Sequence, residues 1–266
     1  MPESTNPAKE GKRIYNIPLK RNPDEGATTI LISGGMGSVK TGASLEYAEK
    51  IMKQYKTEKV FWRESVKSPV QFTKLINFEY KIFVEEGYNL KFKDIIQDKI
   101  IELPVVYFTT DKELYDIAQP GILNVVFFKE NTRWADFIEY LINISGWKTI
   151  IFDEMEDIFP SGTSGDSWQL TQRAANVIKQ CRKGFVTIIG NCHKGHHLDY
   201  RIVEKMMINM YGFGAKPSGL SRINRSCLDG VSKGEFWVEE EYTRFGYVKI
   251  KKVHKPQGNT LTIYES

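Results

Sequence analysis

The chain has 266 residues, of which 41% are hydrophobic and 12% aromatic, enough to build one large α/β domain or two small ones. This composition excludes an intrinsically disordered chain, and the net charge of +4 suits a nucleic-acid partner without requiring one. Three dispersed cysteines form no metal-type spacing and favour a reducing compartment. No apolar run approaches about 18 residues, so neither a secretion signal nor a transmembrane segment is predicted.

The N-terminal residues 1–26 are rich in Pro, Lys, Asn and Glu. We interpret them as a flexible arm and residues 27–266 as a single domain, because no linker divides the remainder. An arm of this kind can also drape over the domain or a neighbour. Its basic residues Lys12, Arg13, Lys20 and Arg21 could contact nucleic acid, but a solvated tail is the simpler interpretation.

The first informative stretch runs from Thr28 to Thr41, where a β-branched run enters a glycine-rich turn and then a helical pattern. Its spacing follows the phosphate-binding Walker A pattern G-x-x-x-x-G-K-[ST]. Lys40 is therefore expected to contact the β- and γ-phosphates of ATP, and the Thr41 hydroxyl to hold Mg²⁺. An ordinary glycine-rich turn is the alternative, disfavoured by four matching positions in register. The predicted nucleotide-binding residues are Gly34, Gly35, Met36, Gly37, Ser38, Val39, Lys40 and Thr41.

Val39 departs from this pattern because it stands where the second glycine belongs. A β-branched residue favours negative φ and adds bulk beside the phosphates. We predict a helix-compatible backbone at Val39, in which case Val39→Gly changes nucleotide affinity by less than about tenfold. A loop that requires positive φ at this position would instead bind nucleotide weakly.

The middle of the chain alternates helical and strand patterns. A helix with Ala43, Tyr47, Ala48 and Ile51 on one face follows the loop, and the charged stretch from Ser68 to Lys99 gives no clear element. The other predicted elements are strands at Lys59–Glu64, Val105–Thr109 and Ile122–Phe128, and helices at Asp111–Ile117 and around Trp134–Leu141.

The apolar run Lys148–Phe152 ends in Asp153 and Glu154, the form of a Walker B strand. Asp153 is expected to hold Mg²⁺ through water, and Glu154 to orient and activate the attacking water. Acidic residues at a strand end are common by themselves. The upstream Walker A pattern is what favours the functional interpretation.

A helix ending near Cys181 precedes another buried strand, Phe185–Gly190, and Asn191 follows it. In P-loop ATPases a polar residue at this place senses the γ-phosphate, so Asn191 is the first candidate and His193 the second. A turn-forming asparagine is an equally good interpretation. Towards the C-terminus we predict a short helix at Asp199–Met206, a strand at Ile208–Phe213 and two antiparallel edge strands.

The order of strand, Walker A, αβ units, Walker B and polar-tipped strand resembles an additional-strand (RecA/ASCE-type) P-loop NTPase, an α/β fold. The resemblance implies a central, mostly parallel sheet flanked by helices, with antiparallel edge strands near the C-terminus. The segment Ser221-Arg222…Leu228-Asp229-Gly230…Gly234-Glu235-Phe236 is similar to that of the FtsK–HerA superfamily of DNA-pumping ATPases. The single-domain size resembles the genome-packaging ATPases of membrane-containing archaeal and bacterial viruses.

This resemblance implies an ATP-driven, Mg²⁺-dependent translocase of double-stranded DNA that packages a viral genome. It also implies a hexameric or pentameric ring in which Arg222 completes the neighbouring site; Arg182 and Arg225 match less well. The expected location is the host cytoplasm or the virion, with a portal, virion or membrane protein as a further partner. Phe159-Pro160 is similar to the zonula-occludens-toxin-like ATPases of filamentous phages, which gives a second hypothesis. Val39 suggests a third, a nucleotide-dependent assembly protein without hydrolysis.

Overall fold

The computed structural model describes residues 19, 21–64, 79–94, 97–162, 164–193, 195–217, 221, 223, 225–241, 244–250 and 261–265. Most of the predicted N-terminal arm and Arg222 lie outside these residues. The strands of the described chain are β1 (Thr29–Ser33), β2 (Lys59–Arg63), β3 (Tyr80–Glu85), β4 (Leu90–Asp94), β5 (Lys99–Ile101), β6 (Val105–Phe108), β7 (Leu123–Phe127), β8 (Lys148–Phe152), β9 (Val186–Cys192), β10 (Ile208–Gly212), β11 (Glu235–Glu240), β12 (Arg244–Lys249) and β13 (Leu261–Glu265). The helices are α1 (Lys40–Gln54), α2 (Asp111–Ile117), α3 (Arg133–Ile142), α4 (Asp166–Cys181), α5 (Tyr200–Val203) and α6 (Arg225–Leu228).

One large sheet organises the fold, with the strand order β12-β11-β10-β1-β9-β8-β2-β7-β3-β6. Neighbouring strands from β10 to β6 in this order pair in parallel, whereas β11 and β12 pair antiparallel at one edge. The expected mostly parallel sheet with antiparallel C-terminal edge strands is therefore confirmed. Strand β9 lies between β1 and β8, which is the additional-strand arrangement that the resemblance implied.

The sheet separates two hydrophobic cores, because successive side chains of a strand point to opposite faces. On β1, Ile30 and Ile32 pack in the core that contains α1, whereas Leu31 packs in the core formed with α3 and α4. Strands buried on both faces read as continuous apolar runs, and this is why the sequence identified β1, β8 and β9 so readily.

The stretch between Ser68 and Lys99, which gave no clear prediction, contributes β3, β4 and the start of β5, while residues 65–78 lie outside the described chain. Strand β3 enters the large sheet between β7 and β6, and β4 pairs with β5 and β13 in a separate three-stranded sheet. The partners of these strands are distant in sequence, so local periodicity could not predict the pairing.

Two predicted elements end two or more residues away from their predicted ends. Strand β9 continues past Gly190 to Cys192, because Asn191 and Cys192 stay in register with Ile32 and Ser33 of β1. The pairing of β9 with β1 therefore outweighs the preference of asparagine for turns. The helix predicted over Asp199–Met206 is only the short α5.

Two described residues of the predicted arm, Leu19 and Arg21, pack against the domain. Leu19 is buried in the core, and its carbonyl accepts a hydrogen bond from the Tyr55 hydroxyl (2.7 Å). The guanidinium of Arg21 binds Glu58 (2.7 Å) and lies over the rings of Tyr55 and Trp147. For Arg21, the expectation of a solvated tail is therefore wrong.

Candidate functional site

The predicted site residues of the described chain meet at the carboxyl edge of the sheet. Strands β1, β8 and β9 are parallel neighbours and end at the same edge. The loop after β1 carries residues 34–39, the turn after β8 carries Asp153 and Glu154, and β9 ends with Asn191 and Cys192 before His193.

The loop between β1 and α1 presents backbone donors that have no backbone partner in the described part of the chain. Among the described residues, no backbone carbonyl accepts a hydrogen bond from the N–H groups of Met36, Gly37, Val39, Lys40 or Thr41. Free N–H groups at the start of a helix form a binding site for an anion. The loop therefore fits the phosphates that the Walker A pattern predicted.

Val39 adopts a left-handed backbone conformation (φ 69°, ψ 28°) directly before α1. The predicted helix-compatible backbone is therefore wrong: the loop needs a positive φ where the usual motif has glycine. This conformation costs a residue with a Cβ about 1–2 kcal/mol. The Val39 side chain lies over Gly42, where a Cβ would be 2.7 Å from Val39 Cγ1. Because Gly42 has no side chain, the side chain of Val39 can occupy this space.

The Lys40 ammonium group lies inside the loop and uses its three donors on three acceptors. Nζ donates to the carbonyls of Gly34 (2.9 Å) and Gly35 (3.3 Å) and lies 3.2 Å from Nδ1 of His193. Burial lowers the pKa of Lys40, and the carboxylates of Asp153, Glu156 and Glu154 oppose this shift.

The two predicted magnesium ligands are in contact. Thr41 Oγ1 lies 3.2 Å from each carboxylate oxygen of Asp153, and the Asp153 side chain is almost fully buried. A hydroxyl and a carboxylate are the hard oxygen donors that Mg²⁺ prefers, usually together with substrate phosphates and water. The residues present therefore fit a Mg²⁺ ion bound beside the loop.

Asn191 holds Asp153 rather than facing the loop. Its Nδ2 donates to Asp153 Oδ1 (2.9 Å), and its Oδ1 accepts from the Ser44 hydroxyl (2.7 Å). Both ends of the buried amide are engaged in these contacts. His193, the second candidate, is the residue after β9 that reaches Lys40 and Glu154.

Glu154 is the second residue of the turn after β8 and also adopts a left-handed conformation (φ 55°, ψ 60°). Its Oε1 lies 3.4 Å from Nε2 of His193, at the long end of the hydrogen-bond range. The carboxylate is mostly shielded from solvent and lies on the side of the turn that faces His193.

Arg63 is a site residue that the sequence did not reveal. It ends β2, where it is in register with Phe152 of β8. Its Nη1 donates to the carbonyls of Asp153 (2.6 Å) and Glu154 (3.4 Å), and its Nη2 lies 3.8 Å from Asp157. The sequence showed only that a charged residue ends an apolar strand. It did not show that β8 lies beside that strand.

The structure does not test the arginine predicted to complete a neighbouring site, because Arg222 lies outside the described residues. Ser221, its neighbour, donates to Glu239 on β11 (2.8 Å). Arg182 precedes β9 and donates to the Glu25 carbonyl (2.7 Å), at the amino edge of the sheet and away from the loop. Arg225 begins α6, and its side chain is outside the described part.

Solved structures share this architecture. The genome packaging NTPase B204 from Sulfolobus turreted icosahedral virus 2, in complex with AMPPCP, is 13% identical, with a TM-score of 0.58 over 86% of this chain and 98% of that chain. The chain has a P-loop NTPase fold. B204, the DNA-packaging ATPase from Sulfolobus turreted icosahedral virus, gives a TM-score of 0.54 at 12% identity over the same shares of both chains. At this identity the likeness concerns the fold, and at that level the resemblance to viral genome-packaging ATPases is confirmed.

The N-terminal domain of zonular occludens toxin from Neisseria meningitidis is 12% identical over 81% of this chain and 84% of that chain. Its TM-score of 0.37 is too low to support an argument about function. No protein-family model and no curated protein sequence matches the chain. Among the helices of the described residues, none has the length and hydropathy needed to cross a bilayer.

Proposed function

We propose that this protein is an ATP-hydrolysing motor that moves double-stranded DNA and packages a viral genome. The observation that carries the proposal is the contact of Thr41 Oγ1 with both oxygens of Asp153. This contact lies beside Lys40 and the N–H groups of Met36, Gly37 and Val39, which have no backbone partner among the described residues. A phosphate-binding loop joined to a buried carboxylate by a metal-ligating hydroxyl is the arrangement that phosphoryl transfer needs.

Each residue has a role in this proposal. The loop N–H groups and Lys40 bind the phosphates, and Thr41 and Asp153 hold Mg²⁺, which when bound neutralises phosphate charge. Glu154 accepts a proton from the attacking water as general base. Asn191 fixes the orientation of the Asp153 carboxylate, whereas Arg63 fixes the backbone that carries Asp153 and Glu154.

Support for DNA as the moved polymer comes from the fold and from charge. B204 is described as a DNA-packaging ATPase and shares the fold along almost its whole length. The net charge of +4 suits a partner made of phosphates. Contacts to phosphates alone would make the grip independent of sequence.

The test is the rate of ATP hydrolysis with and without linear duplex DNA. We expect DNA to stimulate hydrolysis, and we expect binding to weaken steeply with salt while ignoring sequence. No hydrolysis under either condition would contradict the proposal. So would a marked preference for one sequence among duplexes of equal length.

A nucleotide-dependent assembly protein without hydrolysis is a second candidate, favoured by the strained backbone of Val39. Binding of a non-hydrolysable ATP analogue by a protein that shows no hydrolysis with DNA would support it.

The filamentous-phage alternative predicts that the native protein associates with membranes, which fractionation would detect.

We further propose a hexameric or pentameric ring in which Arg222 acts on the neighbouring site. Arginine fingers accelerate phosphoryl transfer by about 10³–10⁵-fold. A mixture of Arg222→Ala and Lys40→Ala, each inactive alone, should regain hydrolysis at interfaces where intact loops meet an intact arginine. A mixture that stays inactive contradicts action between subunits, and full activity of Arg222→Ala alone contradicts the assignment itself.

A further inference from the structure

A second lysine lies beside the phosphate-binding loop. Nζ of Lys233, in the turn before β11, lies 3.8 Å from the position that a Cβ of Gly37 would occupy. Lys233 is exposed, and within the described part of the chain its side chain forms no hydrogen bond or ion pair. We propose that Lys233 is a second cation for the nucleotide and binds its phosphates together with Lys40. This inference rests on the proposed ATPase function and adds a binding residue to the same site.

The order of the strands brings Lys233 to the loop. Strand β11 is antiparallel to β10, and its second residue, Phe236, is paired with Gly212 at the end of β10. Strand β10 is in turn parallel to β1, so the turn before β11 lies at the same carboxyl edge as the loop after β1. The carbonyl of Phe213, which follows β10, accepts a hydrogen bond from the Gly35 N–H (2.8 Å). The end of β10 and the turn before β11 therefore border the loop.

The backbone on both sides of Lys233 is held in place. The Glu235 N–H donates to the Ser232 carbonyl (3.0 Å), which closes the turn around Lys233. On the preceding side, Val231 is buried in a small core that also contains Tyr211 of β10. The position of the turn is thus fixed relative to the sheet, whereas the exposed side chain of Lys233 can rotate about its own bonds.

The acidic residue of this turn does not pair with Lys233. The Glu235 carboxylate is buried and accepts a hydrogen bond from the Ser232 N–H (3.2 Å). Its other oxygen lies 3.8 Å from Nζ of Lys249. A surface lysine whose role is structural usually pairs with a neighbouring acid, and this explanation does not apply to Lys233. Its charge instead adds to the attraction for anions that the start of a helix already provides.

Lys233 and Lys40 differ in the contacts that they must break to bind a phosphate. Lys40 Nζ already contacts two carbonyls of the loop and the ring of His193, whereas Lys233 has no such contact to lose. Among the described residues, only Lys233 atoms lie within 4 Å of the Cβ position of Gly37, so its approach to the loop is open. Because hydrogen bonds between charged groups are about twice as strong as neutral ones, the contact should add measurable affinity.

The experiment compares two substitutions of Lys233 with a matched control. Lys233→Met keeps the apolar stem and removes the charge, and Lys233→Arg keeps the charge. The control is Lys183→Met, because Lys183 is also exposed but precedes β9 at the amino edge of the sheet. Calorimetry measures the affinity for a non-hydrolysable ATP analogue and for inorganic tripolyphosphate, which has neither base nor ribose, at several salt concentrations. Thermal unfolding is measured without nucleotide.

We expect Lys233→Met to weaken binding of both ligands by roughly three- to thirtyfold, the lower part of the range for hydrogen bonds to charged groups, because water competes at an exposed site. Its affinity should also depend less on salt, since one charge pair is lost. Lys233→Arg should keep most of the affinity, and Lys183→Met should match the wild type. The nucleotide-free Lys233→Met protein should unfold at the wild-type temperature.

A change of less than about twofold in the affinity of Lys233→Met for the analogue overturns the proposal. A loss for the ATP analogue without a loss for tripolyphosphate also overturns it, because it would indicate a contact with the base or the ribose. A lower unfolding temperature of the nucleotide-free variant would show a structural role instead. If the wild-type protein binds the analogue but never hydrolyses ATP, the proposed function fails, and the affinities still decide the role of Lys233.

Discussion

The turn after β1 and the turn after β8 have the same kind of strained backbone, but their backbone groups make different contacts. Each places a residue with a side chain in the left-handed region, Val39 at φ 69° and Glu154 at φ 55°. Each also packs a side chain against a glycine. A Cβ at Gly42 would lie 2.7 Å from Val39 Cγ1, and one at Gly190 would lie 2.3 Å from Met155 Sδ.

The two turns differ in what their backbone groups contact. In the first turn, the N–H groups of Met36, Gly37 and Val39 have no backbone partner among the described residues. In the second turn, Arg63 donates to the carbonyls of Asp153 and Glu154. The first turn is therefore suited to bind and release a ligand. The second turn is suited to keep the carboxylates of Asp153 and Glu154 in fixed positions. Strain of this kind is common at functional sites, where surrounding contacts maintain it.

The largest expected effects come from the side chains that act on the nucleotide. Lys40→Ala should abolish hydrolysis and weaken nucleotide binding, because it removes a phosphate partner. Glu154→Gln should leave binding intact and slow turnover by about a hundredfold or more, the range for loss of a general base. Calorimetry and steady-state rates separate the two variants. Hydrolysis by Glu154→Gln at the wild-type rate would show that Glu154 is not the base.

The next effect tests whether the second turn is held by Arg63. Arg63→Met removes the donors to both carbonyls, and misplacing a catalytic group by about 1 Å can cost on the order of a hundredfold in rate. We expect kcat to fall between tenfold and a hundredfold while analogue affinity changes less than about threefold. Arg133→Met is the matched control, since Arg133 pairs with Glu85, Asp111 and Asp136 instead of the site. An Arg63→Met enzyme with unchanged kcat contradicts the assigned role.

The first turn can be tested by a double-mutant cycle on Val39 and Gly42. Val39→Gly should raise the free energy of unfolding by about 1 kcal/mol, because the left-handed strain exceeds the entropic cost of glycine. Gly42→Ala should lower it by about 1–3 kcal/mol through collision with Val39.

In the double variant the alanine should be neutral or stabilising, because its new Cβ meets no other atom within 4 Å. Urea unfolding measures all four proteins. Additive free energies would show that Val39 and Gly42 do not interact.

The smallest effect is expected at the corresponding glycine of the second turn. Gly190→Ala brings a Cβ against Met155 Sδ, the flexible end of a long side chain that can move aside. We expect a loss of less than about 1.5 kcal/mol in the free energy of unfolding and an unchanged kcat. If Gly190→Ala lowered the free energy of unfolding more than Gly42→Ala does, the contact with Met155 would be the tighter of the two.

The sequence by itself determined the elements that carry the chemistry. The buried strands β1 and β8 appear as continuous apolar runs. Motif spacing placed Lys40 and Thr41 at the start of the helix after β1, and Asp153 and Glu154 after the end of β8. These signals are local, since they depend on neighbouring residues and on the fixed period of a strand. That is why the P-loop fold and the approximate place of the site were predictable.

Only the tertiary structure decided which side chains meet. Arg63 reaches the Asp153 carbonyl because β2 lies beside β8, and His193 reaches Lys40 because β9 lies beside β1. These contacts join residues separated by 90 and 153 positions. The backbone of Val39 was also decided at this level. Its preference for negative φ is worth about 1–2 kcal/mol, less than the loop and helix around it impose, so the fold rather than the residue fixes the conformation.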